Sequence, residues 1–274
     1  MQATRATRTI TAFLDGEDSP DIPNPIHSTA VAAEYGFRAA LVGGVTVYGW
    51  TVPAILEALG EEWLEHGWAD VSFRRPVYPG DQMTATVEQS GDGWRLSMLK
   101  EDGECCIAGF VGLGKGPFLP GLAMPDRTYP ESRGANLPQL TMEDAPIGED
   151  IRPMAVPLSL KDAADYMTTK QLDDHPRWFG ERGRIHPGWL AARMTPLMHH
   201  SYDYGPSIHT RTQAQYLAPA IAGQTLTVAG HFLDAYERKG HHYAVVDGAI
   251  FAEDRTLLAR IRHTTIFRVA KPQG

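Results

Sequence analysis

Residues 45–59, Val-Thr-Val-Tyr-Gly-Trp-Thr-Val-Pro-Ala-Ile-Leu-Glu-Ala-Leu, are apolar on nearly every side. A helix with so little polar surface must be buried, so the chain has to supply a layer broad enough to wrap it. Gly43 and Gly44 stand just before this run, Pro53 predicts a kink within it and Gly60 its end. A glycine pair at a helix start leaves backbone N–H groups uncovered, and the helix dipole favours negative charge there. Upstream, Asn24-Pro25-Ile26-His27 reads as a turn with a histidine on its far side, then an Ala-rich helical segment to Tyr35 and a helix-ending Gly36. Residues 24–46 thus combine a turn-borne histidine with a helix start able to hold an oxyanion.

Beyond that helix the pattern turns strand-like. Met83, Ala85 and Val87 alternate with Thr84, Thr86 and Glu88. Turns at Gly91-Asp92-Gly93 and Asp102-Gly103 lead into strands over 94–99 and 105–113, an antiparallel meander behind the buried helix. Residues 116–155 change character, with recurrent prolines and few apolar runs, and read as a linker. The second half then repeats the first. Gly188 opens an apolar stretch as Gly44 does, with Pro196 placed like Pro53, and Pro219 with Gly223 matches Pro76 with Gly80 at an offset of 143. Matched landmarks argue for a duplication, with repeat 1 over 1–115 and a degenerate repeat 2 over 156–274.

Hydrophobic residues at 43% and charged residues at 21% describe a soluble globular chain, and 274 residues can bury a sizeable core. The 25 basic and 33 acidic residues leave a net charge of −8, with no basic run to suit a nucleic acid. Cys105 and Cys106 are neighbours that point to opposite strand faces, so no disulfide between them is expected and a reducing compartment is. Neither a signal peptide nor a membrane-spanning stretch is evident, which predicts a cytoplasmic protein without a membrane partner. The pairs His199-His200 and His241-His242 lack the companion ligands of a metal site, and no dinucleotide or phosphate-loop motif occurs; no cofactor or metal is expected.

The stretch 24–46 resembles the hydratase signature of the MaoC-like, R-specific enoyl-CoA hydratase group of the hotdog superfamily. Asn24, Pro25, His27, Ala32, Gly36, Phe37, Leu41, Val42 and Gly44 fall in place. Two positions depart. The family's catalytic Asp, five residues before the His, is Ile22 here, with Asp21 one residue too early and Pro23 as the apparent insertion; the His before the helix glycine is Gly43.

The resemblance implies an α+β double hotdog, two helix-wrapped antiparallel sheets forming a pseudo-dimer. It also implies a hydro-lyase that adds or removes water across an enoyl or β-hydroxyacyl thioester carried by CoA or acyl carrier protein, with a homodimer allowed. In that scheme His27 and a displaced Asp21 are catalytic, Asn24 is a polar orienter, and the Gly43–Gly44–Val45 backbone holds the thioester oxygen. His175 and His186 are backup candidates. The missing Asp keeps three other readings open: a non-catalytic hotdog subunit, an acyl-binding protein, or a lyase or isomerase using His27 alone. A thioesterase is a further choice, disfavoured because the first acidic residue on the helix, Glu57, lies beyond Pro53. A CoA substrate predicts Arg74 and Arg75, or basic residues of the other half, at the mouth of the site.

Overall fold

The computed structural model describes residues 4–91 and 93–271; Asp92, in the expected turn, lies outside the described residues. Ten strands form one antiparallel sheet: β1 (Arg5–Thr11), β2 (Gly67–Phe73), β3 (Gln82–Ser90), β4 (Gly93–Lys100), β5 (Cys105–Leu113), β6 (Asp150–Leu158), β7 (Ile208–Tyr216), β8 (Gln224–Arg238), β9 (His241–Phe251) and β10 (Leu257–Arg268). Their order across the sheet is β1-β3-β4-β5-β2-β7-β10-β9-β8-β6. Read inward from either edge, the two halves are the same: first strand, third, fourth, fifth, second. This is the α+β double-hotdog architecture. The strand β6 occupies the last part of the segment 116–155, whose earlier residues form no strand of the sheet.

Helices precede β2 and β7 in each half. The first half has α1 (Thr29–Glu34), α2 (Gly44–Gly49), α3 (Val52–Leu59) and α4 (Trp63–His66); the second has α5 (Leu160–Tyr166), α6 (Pro187–Ala191) and α7 (Met194–Ser201). The single helix expected over 45–59 is divided between α2 and α3. Pro53 has no N–H to donate, and its ring excludes the carbonyl four residues back, which belongs to Gly49, the last residue of α2. Pro196 acts alike: the residue four back, Ala192, caps α6. Gly60 ends α3 at φ +85°, a conformation that favours glycine.

The core sits between these helices and one sheet face. Met83, Ala85 and Val87 are buried together, as their alternation requires, with Tyr48, Ile55, Leu59 and Trp63 above them. Cys106 is buried and Cys105 is not, and both are free thiols. At the middle of the molecule α2 and α6 cross through small residues. A Cβ on Gly188 would lie 3.1 Å from the Gly49 Cα and 3.1 Å from the Val45 carbonyl oxygen. The halves join where β2 pairs with β7, Trp68 opposite Gln215 through Ser72 opposite Arg211. Across that seam Asp70 accepts two bonds from the Arg211 guanidinium, at 2.9 and 2.8 Å, and one from the Gln213 amide at 2.9 Å. The buried hydroxyls of Tyr48 and Tyr216 meet at 3.0 Å.

The α2–α6 crossing leaves no room for a branched side chain. Gly188→Val is expected to lower stability by about 1–3 kcal/mol through overpacking, read as a reduced denaturation midpoint with an unchanged denaturant slope. Unaltered stability would mean that the helices can separate without loss.

Candidate active site

A cavity of about 370 Å³ opens between the start of α2 and the N-terminal end of β7. Its walls are mostly apolar, among them Ile22, Ile26, Leu41, Val42, Val45 and Ile208, and its polar lining includes Asp15, Glu17, Asn24, His27, Lys170 and His209. That mixture marks a small-molecule site better than the two larger hollows do. The one of about 820 Å³ is lined by Arg38, Asp81, Lys100 and Glu104, which are already paired with one another. The other, of about 990 Å³, is a basic surface groove.

His27 ends a single 3-10 turn, Pro25–His27, which Pro25 starts with its preset φ. Its Nδ1 donates to the Leu41 carbonyl at 2.7 Å, which leaves the lone pair on Nε2. The Asn24 amide N–H reaches Nε2 at a long 3.3 Å. Asn24 is itself fixed by a reciprocal pair with the second half: its Nδ2 donates to the Ser207 carbonyl at 2.9 Å, and its Oδ1 accepts from the Ser207 N–H at 3.0 Å. Asn24 thus ties the histidine turn to the second half of the fold.

Two carboxylates line the cavity, Asp15 and Glu17, neither revealed by the motif spacing, and Asp15 is the one that reaches the start of α2. Asp21, expected as the displaced replacement, is exposed and does not line the cavity. The Asp18 carboxylate accepts from the Thr29 N–H and hydroxyl, both at 2.6 Å, and the loop closed in this way carries Asp21 at its outer side. Asp15 follows the end of β1, which is held by Ala12: its N–H donates to the Asp81 carbonyl at 2.8 Å, and its carbonyl accepts from Gly80 at 2.7 Å. The Asp15 carboxylate accepts from the Thr46 hydroxyl and lies 4.0 Å from the Lys170 ammonium. It reaches the start of α2, where a Cβ on Gly43 would be 3.4 Å from its Oδ2.

Gly43 and Val45 line the cavity, whereas Gly44 packs against the Phe73 ring. The Gly43 carbonyl accepts from Thr46 and Val47, so the N–H groups of Gly44 and Val45 are left without intrahelical acceptors. His209 contributes a second imidazole, 4.7 Å from the Phe73 ring, with the buried His263 stacked edgewise at 4.1 Å. Burial pushes the His209 ring down to about 4 and His263 well below its ordinary value, so both are neutral near pH 7.

The second half does not rebuild this arrangement. Its matching 3-10 turn, Pro176–Trp178, places Trp178 where the first half has His27, and the Trp178 indole N–H donates to the Asp173 carboxylate at 2.7 Å. His175 stands at the position of Asn24 and accepts from the Arg177 backbone at 3.3 Å. His186 caps α6 as Gly43 caps α2, its Nδ1 accepting from the Gly188 N–H at 3.1 Å. Packed against Trp178 and Tyr166 and only 2% exposed, it closes this helix start. Among the described residues no group of His, Cys, Asp and Glu is arranged to hold a metal, and no helix is long and apolar enough to cross a membrane.

No protein-family model matches the chain, and no curated protein matches its sequence. Solved structures do match its fold. A MaoC-like dehydratase aligns at TM-score 0.61 and 14% identity, covering 97% of this chain and 98% of that one. A conserved protein from Mycobacterium tuberculosis with a double hotdog fold aligns at TM-score 0.59 and 12% identity over 86% and 84%. An oleoyl thioesterase from Lactobacillus plantarum aligns at 0.55 and 12% over 99% and 98%. The chain shares the double-hotdog fold with all three.

Burial holds His186 at about 3, far below its ordinary 6.5. The unfolded chain takes up a proton that the folded chain refuses, so this contribution is whole above pH 6.5 and is lost as pH falls towards 3. The loss should be on the order of a few kcal/mol. His186→Asn, which keeps a cap but cannot titrate, should flatten the stability curve between pH 6.5 and 4; an unchanged slope would assign acid sensitivity to other groups.

Proposed function

We propose that the cavity binds an enoyl or β-hydroxyacyl thioester and adds or removes water across its Cα–Cβ bond. The observation that carries this reading is His27 with its Nε2 lone pair in the same cavity as the Asp15 carboxylate, beside the start of α2. The shared fold with a MaoC-like dehydratase agrees with it.

In the hydration direction, Asp15 and His27 hold one water over the Cβ carbon. The water oxygen bonds to Cβ as its proton passes to His27 Nε2, and the π electrons of the double bond move to Cα and the thioester oxygen. The Val45 N–H, free of an intrahelical acceptor and borne by a residue of the cavity wall, is the donor for that growing charge, and donors fixed in place before the reaction stabilise it most where water is excluded. The imidazolium then gives its proton to Cα, which restores neutral His27 and balances the addition. Leu41 keeps Nδ1 protonated throughout and stabilises the imidazolium. The Asn24 amide holds the ring, and its long bond to Nε2 is one that a bound water can replace. Asp15 positions the water, and the Lys170 ammonium 4.0 Å away offsets the charge of this carboxylate beside the oxyanion donor.

The basic groove is a suitable place for the phosphates of CoA. Arg74, Arg75, Arg211, Arg238 and Lys239 line it, and the rings of Tyr236 and Tyr243 stack beside it at 4.9 Å. Arg211 and Arg75 already face Asp70 and Glu104, whereas Arg74, Arg238 and Lys239 have no carboxylate partner among the described residues. Phe73 and the first residues of β7 lie between this groove and the cavity, so one thioester could reach both.

Loss of enoyl-thioester absorbance on incubation with crotonyl-CoA tests the reading. His27→Ala should reduce turnover by roughly two to four orders of magnitude, Asp15→Asn by a comparable factor, and Asp21→Asn hardly at all. Full activity in the first two variants would reject the site. Binding without turnover by the unaltered protein would leave an acyl-binding role.

The groove has its own test. Replacing Arg74 and Arg238 with Ala should raise KM for the CoA ester severalfold, with kcat preserved and no effect on the pantetheine ester. An equal effect on both esters would remove the groove from substrate binding.

A further inference from the structure

A second cleft, of about 340 Å³, adjoins the His27 cavity and shares Asp15, Val45, Lys170 and Ala192 with it. At its inner end lies Arg193, the residue that caps α7. The guanidinium lies over the face of Trp189, 4.0 Å from the ring centroid, and its Nε donates to the Trp189 carbonyl at 3.1 Å. Among the described residues nothing accepts from its two terminal nitrogens, and no carboxylate pairs with it. The three acids along the cleft are engaged elsewhere: Asp162 accepts from the Ser159 hydroxyl at 2.6 Å, Asp165 pairs with Lys161, and Asp15 accepts from the Thr46 hydroxyl and faces the Lys170 ammonium at 4.0 Å.

An arginine in this position is unusual. The guanidinium stays protonated at neutral pH, and taking it out of water is costly unless an anion compensates. Burial pulls Arg193 down to about 10, which leaves it fully charged at pH 7. Trp189 fixes its plane, so the unused side of the fork faces the cleft with its donors pre-aligned for a planar carboxylate. We propose that this cleft is an anion subsite that receives a carboxylate carried by the acyl part of the substrate, so that the thioester is a monoester of a short dicarboxylic acid. The proposal rests on the thioester reading of the adjoining cavity and adds the substrate class. A phosphate of the carrier is the other anion to consider. The groove of Arg74, Arg238 and Lys239 suits it better, whereas the Arg193 cleft continues the acyl cavity through Val45 and Ala192 and has Trp189 beside the guanidinium, as suits a short chain leading to a carboxylate.

Saturated thioesters, which cannot be hydrated, separate binding from turnover. Calorimetry on the full chain with succinyl-, glutaryl- and adipyl-CoA, against butyryl- and hexanoyl-CoA, should show at least one dicarboxylic ester binding tenfold or more tighter than the uncharged esters. Arg193→Gln should abolish that preference and leave the uncharged esters unaffected, and Arg193→Lys should keep part of it. Equal affinity for charged and uncharged esters, or an equal loss for both in Arg193→Gln, would overturn the subsite. Free glutarate probes it without any thioester: a rise in the melting temperature of the unaltered protein but not of Arg193→Gln supports the subsite even if every CoA ester fails to bind, a result that would sink only the thioester reading. If inorganic phosphate stabilises the protein through Arg193 and glutarate does not, the carboxylate assignment is wrong.

Discussion

The pairing of β2 with β7 is the contact on which the remaining structure depends. It turns two five-stranded sheets into one and leaves only β1 and β6 as edges. Antiparallel backbone pairing has no preference between partners, so specificity at the seam comes from side chains. Asp70 is satisfied by Arg211 and Gln213 from the opposite strand, and the Gln215 amide donates to the Gly67 carbonyl at 3.1 Å and the Gly114 carbonyl at 3.0 Å. A slip of one residue would strand these groups and turn the buried face outward. The same register sets Ser207, just before β7, against Asn24, so the histidine geometry inherits its precision from the seam.

Much of this fold was legible in the sequence because periodicity reports burial directly. The alternation of Met83, Ala85 and Val87, the apolar run after Gly44 and the prolines at 53 and 196 each have a local physical meaning, and each appears where that meaning places it. The site was legible only where it is local. His27 and Asn24 belong to one short turn, so their spacing carries information. Asp15 does not: its proximity to Thr46 and Gly43 is made by a loop of irregular backbone that ends β1, and no spacing rule crosses such a loop. Lys170, Ser207 and His209 come from the other half and were equally invisible. Asp21 attracted attention through its distance along the chain from His27, which says little about distance in space once Pro20 and Pro23 flank it.

The site also illustrates how burial decides what an imidazole can do. Several histidines lie in or near the central layer, but His186, His209 and His263 are driven neutral by desolvation, and their bonds go to backbone, to the Thr212 hydroxyl or to one another. His27 differs in having a carbonyl on one nitrogen, a cavity at the other and a carboxylate facing the same space. A histidine can exchange protons with a ligand only where one of its nitrogens is open to the space the ligand would fill, and the turn at Pro25 gives His27 that opening.

The closed helix start in the second half has a consequence of stoichiometry. Two identical subunits around a twofold axis must accept every substitution twice, so neither of two equivalent pockets can be given up alone. One chain with two topologically equal halves is free of that restriction. Trp178 and His186 are buried against each other at the positions that His27 and Gly43 take in the first half, so one helix start is filled while the other borders a cavity. The chain can therefore keep one of its two equivalent helix starts open, with the filled twin serving as its foundation.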